Sequence, residues 1–118
     1  MTFTADAVTY DVIEGAHVAG LSFRNCAGGY LLFQRRVEGD PDDWGIYVEF
    51  NDQSKSGYGL VRECRIDRNT VEVDFTQPLA GVNALQVKLS VGDEAFNKFA
   101  KGMTIIFQGS QNRLKITA

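Results

Sequence analysis

The most informative part of this chain is the stretch Trp44–Gly59, WGIYVEFNDQSKSGYG, where an alternating segment runs into a polar, glycine-flanked tyrosine. Successive side chains of a strand point to opposite faces, so alternation of apolar and polar residues indicates a half-buried strand. The apolar positions that share one face are Ile46, Val48 and Phe50. The pattern predicts a strand at 45–51, a loop at 51–56, and then Tyr58 held between two glycines.

Period-two alternation continues on both sides of this stretch, over most of the first ninety residues. Alternation of this kind is typical of an antiparallel sheet with one dry face and one wet face. The other predicted strands lie at 8–12, 18–23, 30–35, 59–66, 70–75 and 85–89. The strands 59–66 and 70–75 form a predicted hairpin, and Pro78 and Gly81 predict a loop after it.

The segment 30–35, YLLFQR, is too apolar to alternate. It predicts a strand buried on both faces, with a short helical turn as the alternative. A further short strand is predicted at 113–117, close to the end of the chain.

The period changes after Gly92. Apolar residues then recur at spacings of three and four, which is the signature of an amphipathic helix. These residues are Phe96, Phe99, Ala100, Met103, Ile106 and Phe107. We predict a helix over about 93–107, with Asp93 as its N-cap and Gly109 suited to the C-terminal cap.

An alternative for the C-terminal region is a helix that ends near Lys101. Gly102 and the β-branched residues after it favour that alternative, in which 103–108 pairs with 113–117 as a hairpin. We favour the long helix because its apolar stripe continues in phase past the glycine.

The fold class follows from these elements. The sequence predicts one α+β domain over residues 1–118, made mainly of antiparallel strands. About seven strands would form a curled sheet or barrel-like sandwich, packed with the single C-terminal helix. The chain is 44% apolar and 23% charged, which is enough to build an ordinary core.

Composition also bears on location and redox state. No apolar run reaches the roughly 18 residues of a membrane-spanning helix. The first residues, MTFTADAVTYD, carry neither a basic leader nor an apolar signal segment, so we expect a cytoplasmic protein. Cys26 and Cys64 are the two cysteines, and in that compartment we expect reduced thiols rather than a disulfide. Whether the two lie close together in space is left open.

No catalytic, metal or cofactor site is predicted. His17 is the single histidine, it has no ligand partners at metal-site spacing, and no Cys-x-x-Cys pair exists. A catalytic pair of His17 with a cysteine remains an alternative, although nothing beside the cysteines indicates an activated thiol. Carboxylate pairs are present at Glu49 with Asp52 and at Glu72 with Asp74, where they fit the wet face of a strand.

An acidic turn precedes the opening stretch. Glu38, Asp40, Asp42 and Asp43 fall within six residues that hold no basic residue, and the only tryptophan, Trp44, follows directly. The ordinary interpretation is a solvated loop. The functional interpretation is a contact patch for a basic protein partner, since complementary charge steers association. Clustered carboxylates disfavour nucleic-acid binding.

Several short patterns together resemble the Imm10 family of bacterial immunity proteins. They are the run Tyr30-Leu31-Leu32-Phe33-Gln34-Arg35, the pair Tyr47-x-Glu49, the motif Ser56-Gly57-Tyr58-Gly59, the turn Arg68-Asn69-Thr70-Val71, and the predicted helix Glu94–Phe107. Their order and spacing carry the resemblance, which covers most of the chain.

The resemblance implies an intracellular, non-enzymatic immunity protein of a polymorphic toxin system. Such a protein would bind a cognate toxin encoded nearby and inhibit it stoichiometrically. Our predicted contact residues are Asp40, Asp42, Asp43 and Trp44, with Tyr58 and Glu49 as a second choice. The alternatives are a small-ligand or regulatory module with a pocket, and a homodimer joined through a strand edge or helix face.

Overall fold

The computed structural model describes residues 2–24, 28–36 and 45–117. Within these ranges it contains one mixed sheet and one α-helix, which confirms the α+β class. The strands are β1 (Thr2–Ile13), β2 (Ala16–Phe23), β3 (Tyr30–Arg36), β4 (Tyr47–Phe50), β5 (Asp52–Tyr58), β6 (Val61–Ile66), β7 (Thr70–Leu79), β8 (Val82–Leu89) and β9 (Leu114–Ile116). The helix α1 spans Asp93–Ile106, and a 3₁₀ turn at Gln111–Arg113 precedes β9.

The strands lie in the order β5-β4-β3-β2-β1-β8-β7-β6-β9. Most neighbours are antiparallel, whereas β1 with β8 and β6 with β9 are parallel. The described residues therefore form nine strands rather than about seven. The sheet is open, because its outer strands β5 and β9 do not pair with each other. Of the two predicted arrangements, a curled sheet or a barrel-like sandwich, it therefore does not form a closed barrel.

The strand β5 lies where the sequence predicts a loop at 51–56, so that prediction is wrong. Asn51 adopts a left-handed backbone with φ 63°, and the chain turns back at once to pair with β4. The residues of β5 are polar and mostly exposed, as suits an edge strand that has a single neighbour and buries little surface. Apolar alternation does not mark a strand of this kind.

The core lies between one face of the sheet and α1. Alternate residues of the strands point to that face, and Phe96, Phe99, Met103 and Ile106 of the helix meet them. In β3, Leu31 and Phe33 are fully buried, whereas Tyr30, Leu32 and Gln34 are half-buried on the opposite face. The prediction that β3 is buried on both faces is therefore wrong. We call this opposite side, which no described helix covers, the outer face.

The hairpin predicted from 59–66 and 70–75 is confirmed as β6 and β7. The predicted loop at Pro78 is shorter than expected, because β7 continues to Leu79. A tight turn at Ala80 and Gly81, with φ values of 54° and 80°, leads directly into β8. The register shifts between Asp74 and Leu79, and that irregularity accommodates the proline within the strand.

The long helix is confirmed, and the alternative hairpin at 103–108 is wrong. The N-cap is Gly92 rather than Asp93, and no side chain caps the helix start. Asp93 instead accepts hydrogen bonds from Arg68 at 2.8 and 2.9 Å. Across the described ranges of the chain, no helix combines the length and apolar character needed to cross a membrane.

Candidate functional site

The predicted contact residues fall into two groups. Glu49 and Tyr58 lie on the outer face of β4 and β5, and Tyr58 is 53% exposed. Asp40, Asp42, Asp43 and Trp44 lie outside the described residues.

Glu49 and Tyr58 belong to a larger cluster. The hydroxyl of Tyr47 donates to Oε1 of Glu49 at 2.5 Å, and the hydroxyl of Tyr30 donates to Oε2. The rings of Tyr47 and Tyr58 are cross-strand neighbours, with centroids 5.3 Å apart and planes tilted by 56°. We call Tyr30, Tyr47, Glu49 and Tyr58 the tyrosine cluster. Three strands contribute to it, so its geometry depends on their register.

The local electrostatics of the cluster follow from Glu49. Its carboxylate accepts a hydrogen bond from the Tyr30 hydroxyl. This hydrogen bond, together with burial, raises the pKa of Tyr30 to about 12. The pKa of Tyr47 is also raised, mainly by burial and next by its hydrogen bond to Glu49. Both phenols therefore stay protonated at neutral pH and hold the carboxylate in place as donors.

Backbone features of β3 and β5 position the rings. The side-chain oxygen of Asn51 accepts the Tyr30 N–H at 2.9 Å, and the Asn51 N–H donates to the Tyr30 carbonyl at 2.9 Å. Gly57 leaves room for Leu60, because a Cβ there would lie 2.9 Å from Leu60 Cδ1. Gly59 has a φ of 68° and turns the chain into β6. Tyr58 therefore sits in regular strand geometry, where it packs on Tyr47 with half of its surface exposed.

Sequence reasoning did not assign Tyr30 and Tyr47 to the site. Alternation placed Tyr47 on the same strand face as Glu49, so that signal was available. Tyr30 reaches Glu49 only because β3 pairs with β4 in a register that places Leu32 opposite Glu49. Tyr30 is two residues before Leu32 and therefore lies on the same face of β3. That register could not be derived from the sequence.

The outer face of β6, β7 and β9 has a different character. Arg65 lies 2.9 Å from a carboxylate oxygen of Asp74 and 3.3 Å from one of Glu72, and Lys115 lies 3.1 Å from Glu63. The pKa of Asp74 is lowered mainly by its hydrogen bond from Arg65. Arg62 also lies 3.8 Å from Asp74. The predicted carboxylate pair Glu72 and Asp74 thus belongs to an ion-pair network in which three basic side chains balance three carboxylates.

The groups considered for catalysis are engaged in packing. Cys64 is fully buried, and burial raises the pKa of its thiol to about 12, so it is not an activated nucleophile. Its distance from Cys26 is not defined, because Cys26 lies outside the described residues. His17 is half-buried, with Nδ1 2.7 Å from the Tyr10 hydroxyl. Over the described ranges, no group of His, Cys, Asp and Glu could hold a metal ion.

Comparison with known proteins agrees with the resemblance seen in the sequence. The family model described as Immunity protein 10 matches residues 4–97, a range that includes β2 to β8, most of β1 and the first turn of α1. No curated protein matches the chain. The match extends over well more than half of the chain, and the protein therefore belongs to the Imm10 family of immunity proteins.

Proposed function

We propose that this protein is a non-enzymatic immunity protein of the cytoplasm that neutralises a cognate bacterial toxin encoded nearby. It would do so by stoichiometric binding that covers or distorts the active site of the toxin. The observation that carries the proposal is the family match over residues 4–97. Inhibition of this kind needs a surface that captures its partner quickly and releases it slowly.

The tyrosine cluster has the properties of a binding anchor. Tyrosine is enriched at interface hot spots, since it supplies a large contact area through few rotatable bonds. Here the rings are already ordered in the free protein, by the hydrogen bonds to Glu49 and by the contact between Tyr47 and Tyr58. Little side-chain freedom is then lost on association, which favours tight binding.

The predicted acidic patch precedes the strand β4 of this cluster in the sequence. In the sequence these residues fall between β3, which ends at Arg36, and β4, which begins at Tyr47 and pairs with β3 through Gln34 and Tyr47. We propose that Asp40, Asp42, Asp43 and Trp44 act with the tyrosine cluster as one acidic, aromatic contact surface. Its partner would present a basic surface, as a nuclease does, and charge complementarity would accelerate capture.

The first test is co-expression with the product of the immediately adjacent upstream gene. We expect that product to arrest growth when it is expressed alone. We expect this chain to restore growth and to co-purify with it in a one-to-one complex. A harmless neighbour that forms no complex would refute the assignment.

Two substitutions then test the surface. Tyr58→Ala and Glu49→Gln should each weaken toxin binding by about 2 kcal/mol, roughly thirtyfold in Kd, as at interface hot spots. Matched controls are Ile116→Ala, at the opposite sheet edge and 38% exposed, and Glu72→Gln in the ion-pair network. If the controls and the test variants bind equally well, the tyrosine cluster is not the contact surface.

The same preparations separate the alternatives. A ligand-binding module would show a melting temperature that rises with a small metabolite and does not respond to the toxin. A homodimeric structural protein would show a concentration-dependent mass and no complex with the toxin.

A further inference from the structure

A groove runs between one edge of β1 and the start of α1. It encloses about 490 Å³ and is lined by Val8, Thr9, Tyr10, Asp11, Gly92, Glu94, Ala95 and Lys98. Tyr10 points toward the helix, where it contacts Gly102, whereas Thr9 points to the other face and contacts Gly20. A cavity that touches four consecutive strand residues meets both faces of the strand, so it follows the strand edge.

That edge of β1 has no strand neighbour within the described part of the chain. β2 occupies the opposite edge along Ala7–Ile13, and β8 pairs only with Thr2–Ala5. After Leu89 the chain leaves the sheet: the Ser90 N–H donates to the Ala5 carbonyl at 2.8 Å, and α1 begins soon after.

The opposite wall of the groove is held in place before any partner arrives. Arg68 donates to the carbonyl of Val91 at 2.8 Å and to Asp93 at 2.8 Å. Its guanidinium carbon also lies 5.0 Å from the ring centroid of Phe96. These contacts hold the first turn of α1 against the turn between β6 and β7. The groove between this part of α1 and β1 is therefore present in the free protein.

We propose that this groove receives an extended segment of the toxin, which pairs with the free edge of β1 as an added strand. The inference rests on the proposed function and adds a second contact to the tyrosine cluster. The N–H and C=O groups along a free strand edge are spaced to match another extended backbone, so an extended peptide is the occupant that satisfies them together.

The side chains of the groove restrict the chemistry of that segment. Ala95 and Val8 offer a narrow apolar surface, which fits small or apolar residues. The groove is lined by two carboxylates, Asp11 and Glu94, and by one ammonium group, Lys98, so its charge is net negative. A basic residue of the toxin is therefore favoured there. Beyond the groove, Val12 and Ile13 are 56% and 57% exposed and extend the apolar contact.

Amide hydrogen exchange of this chain, free and in complex with the product of the adjacent upstream gene, tests the inference. In the free protein, about every second amide of residues 6–13 faces the open edge and should exchange quickly, while those that face β2 are already slow. In the complex, the fast amides should slow by about tenfold or more.

A paired substitution gives an independent readout. Ala95→Arg fills the groove and should weaken toxin binding by about tenfold, whereas Asn97→Arg, exposed and outside the groove, should change it by less than about threefold. If Ala95→Arg unfolds the protein, the hydrogen-exchange measurement on the unsubstituted chain still tests whether a strand is added at β1.

The outcomes separate this inference from the proposed function. Toxin binding and neutralisation without any change at the amides of residues 6–13 overturns the added strand and leaves the immunity function intact. Absence of a complex overturns both. Protection that rises with the concentration of this chain alone assigns the edge to a second copy, and that also overturns the inference.

Discussion

Gly102 of α1 lies directly against the ring of Tyr10 in β1. A Cβ built at position 102 would stand 2.2 Å from Cδ1 of the tyrosine, a distance at which no side chain fits. The ring has little freedom to withdraw, because its hydroxyl is hydrogen-bonded to Nδ1 of His17 at 2.7 Å. The glycine that weakens the helical pattern is therefore the residue that lets the helix approach the sheet.

We predict that Gly102→Ala destabilises the fold. Alanine gains up to about 1 kcal/mol of helix propensity over glycine, whereas overpacking a core costs about 1–3 kcal/mol. The 2.2 Å approach to the Tyr10 ring places this site at the upper end of that cost, so the net loss should be about 2 kcal/mol. Denaturant titration measures it, with the exposed position Asn97→Ala as the control. In a Tyr10→Ala background the cost should disappear; an unchanged cost there would show that the contact is not its cause.

Arg35 should stabilise the C-terminal end of α1, whose last turn holds no basic residue. From β3 it donates to the carbonyl of Ile106 at 3.1 Å and to that of Gln108. Arg35→Met should lower the free energy of unfolding by about 1–2 kcal/mol, because charged donors at a helix C-terminus are favourable. The exposed neighbour Arg36→Met should have a smaller effect. Equal losses for the two variants would contradict a specific role of Arg35.

The raised pKa of Tyr30 predicts a loss of stability in alkali. The folded pKa of about 12 lies above the ordinary value of 10.0, so the native state holds this proton more tightly than the unfolded chain. The resulting stabilisation is complete below about pH 10 and disappears as the pH rises through about 12. Stability measured against pH, together with ultraviolet absorbance of the phenolate, detects this.

Glu49→Gln tests the cause of that shift. Removal of the charged acceptor should move the Tyr30 pKa down toward its ordinary value and shrink the alkaline window of stabilisation. Glu94→Gln, on the exposed helix surface, is the matched control and should leave the Tyr30 titration unchanged. A titration that is identical in the Glu49→Gln variant would mean that burial alone sets the pKa.

The acidic turn should act on the rate of capture. Simultaneous substitution of Asp40, Asp42 and Asp43 by Asn should slow association with the toxin by about tenfold at low salt and change dissociation little. Stopped-flow kinetics over a range of salt concentrations provides the internal control. The association rate of the original chain should fall steeply with salt, and that of the variant only weakly. If both rates fall equally with salt, these three carboxylates do not steer association.

Much of the fold could be predicted because hydrophobic periodicity shows which face of a helix or strand is buried. The helix over 93–107 and the hairpin of β6 with β7 were predicted correctly for that reason. The exposed edge strand β5 could not be recognised in this way, since it buries almost no apolar surface. Likewise, half-buried tyrosine and leucine side chains on the outer face made β3 look like a strand covered on both sides.

By itself, the sequence determined the α+β class, the one helix and the family. Hydrophobic periodicity and the spacing of short motifs can both be read directly from the order of residues along the chain. Only the tertiary structure decided that Tyr30 joins Glu49, that Gly102 faces Tyr10, and that β8 leaves one edge of β1 open. Each of these depends on strand register or on the path of the helix over the sheet. Contacts between residues distant in sequence set both, and no local pattern encodes them.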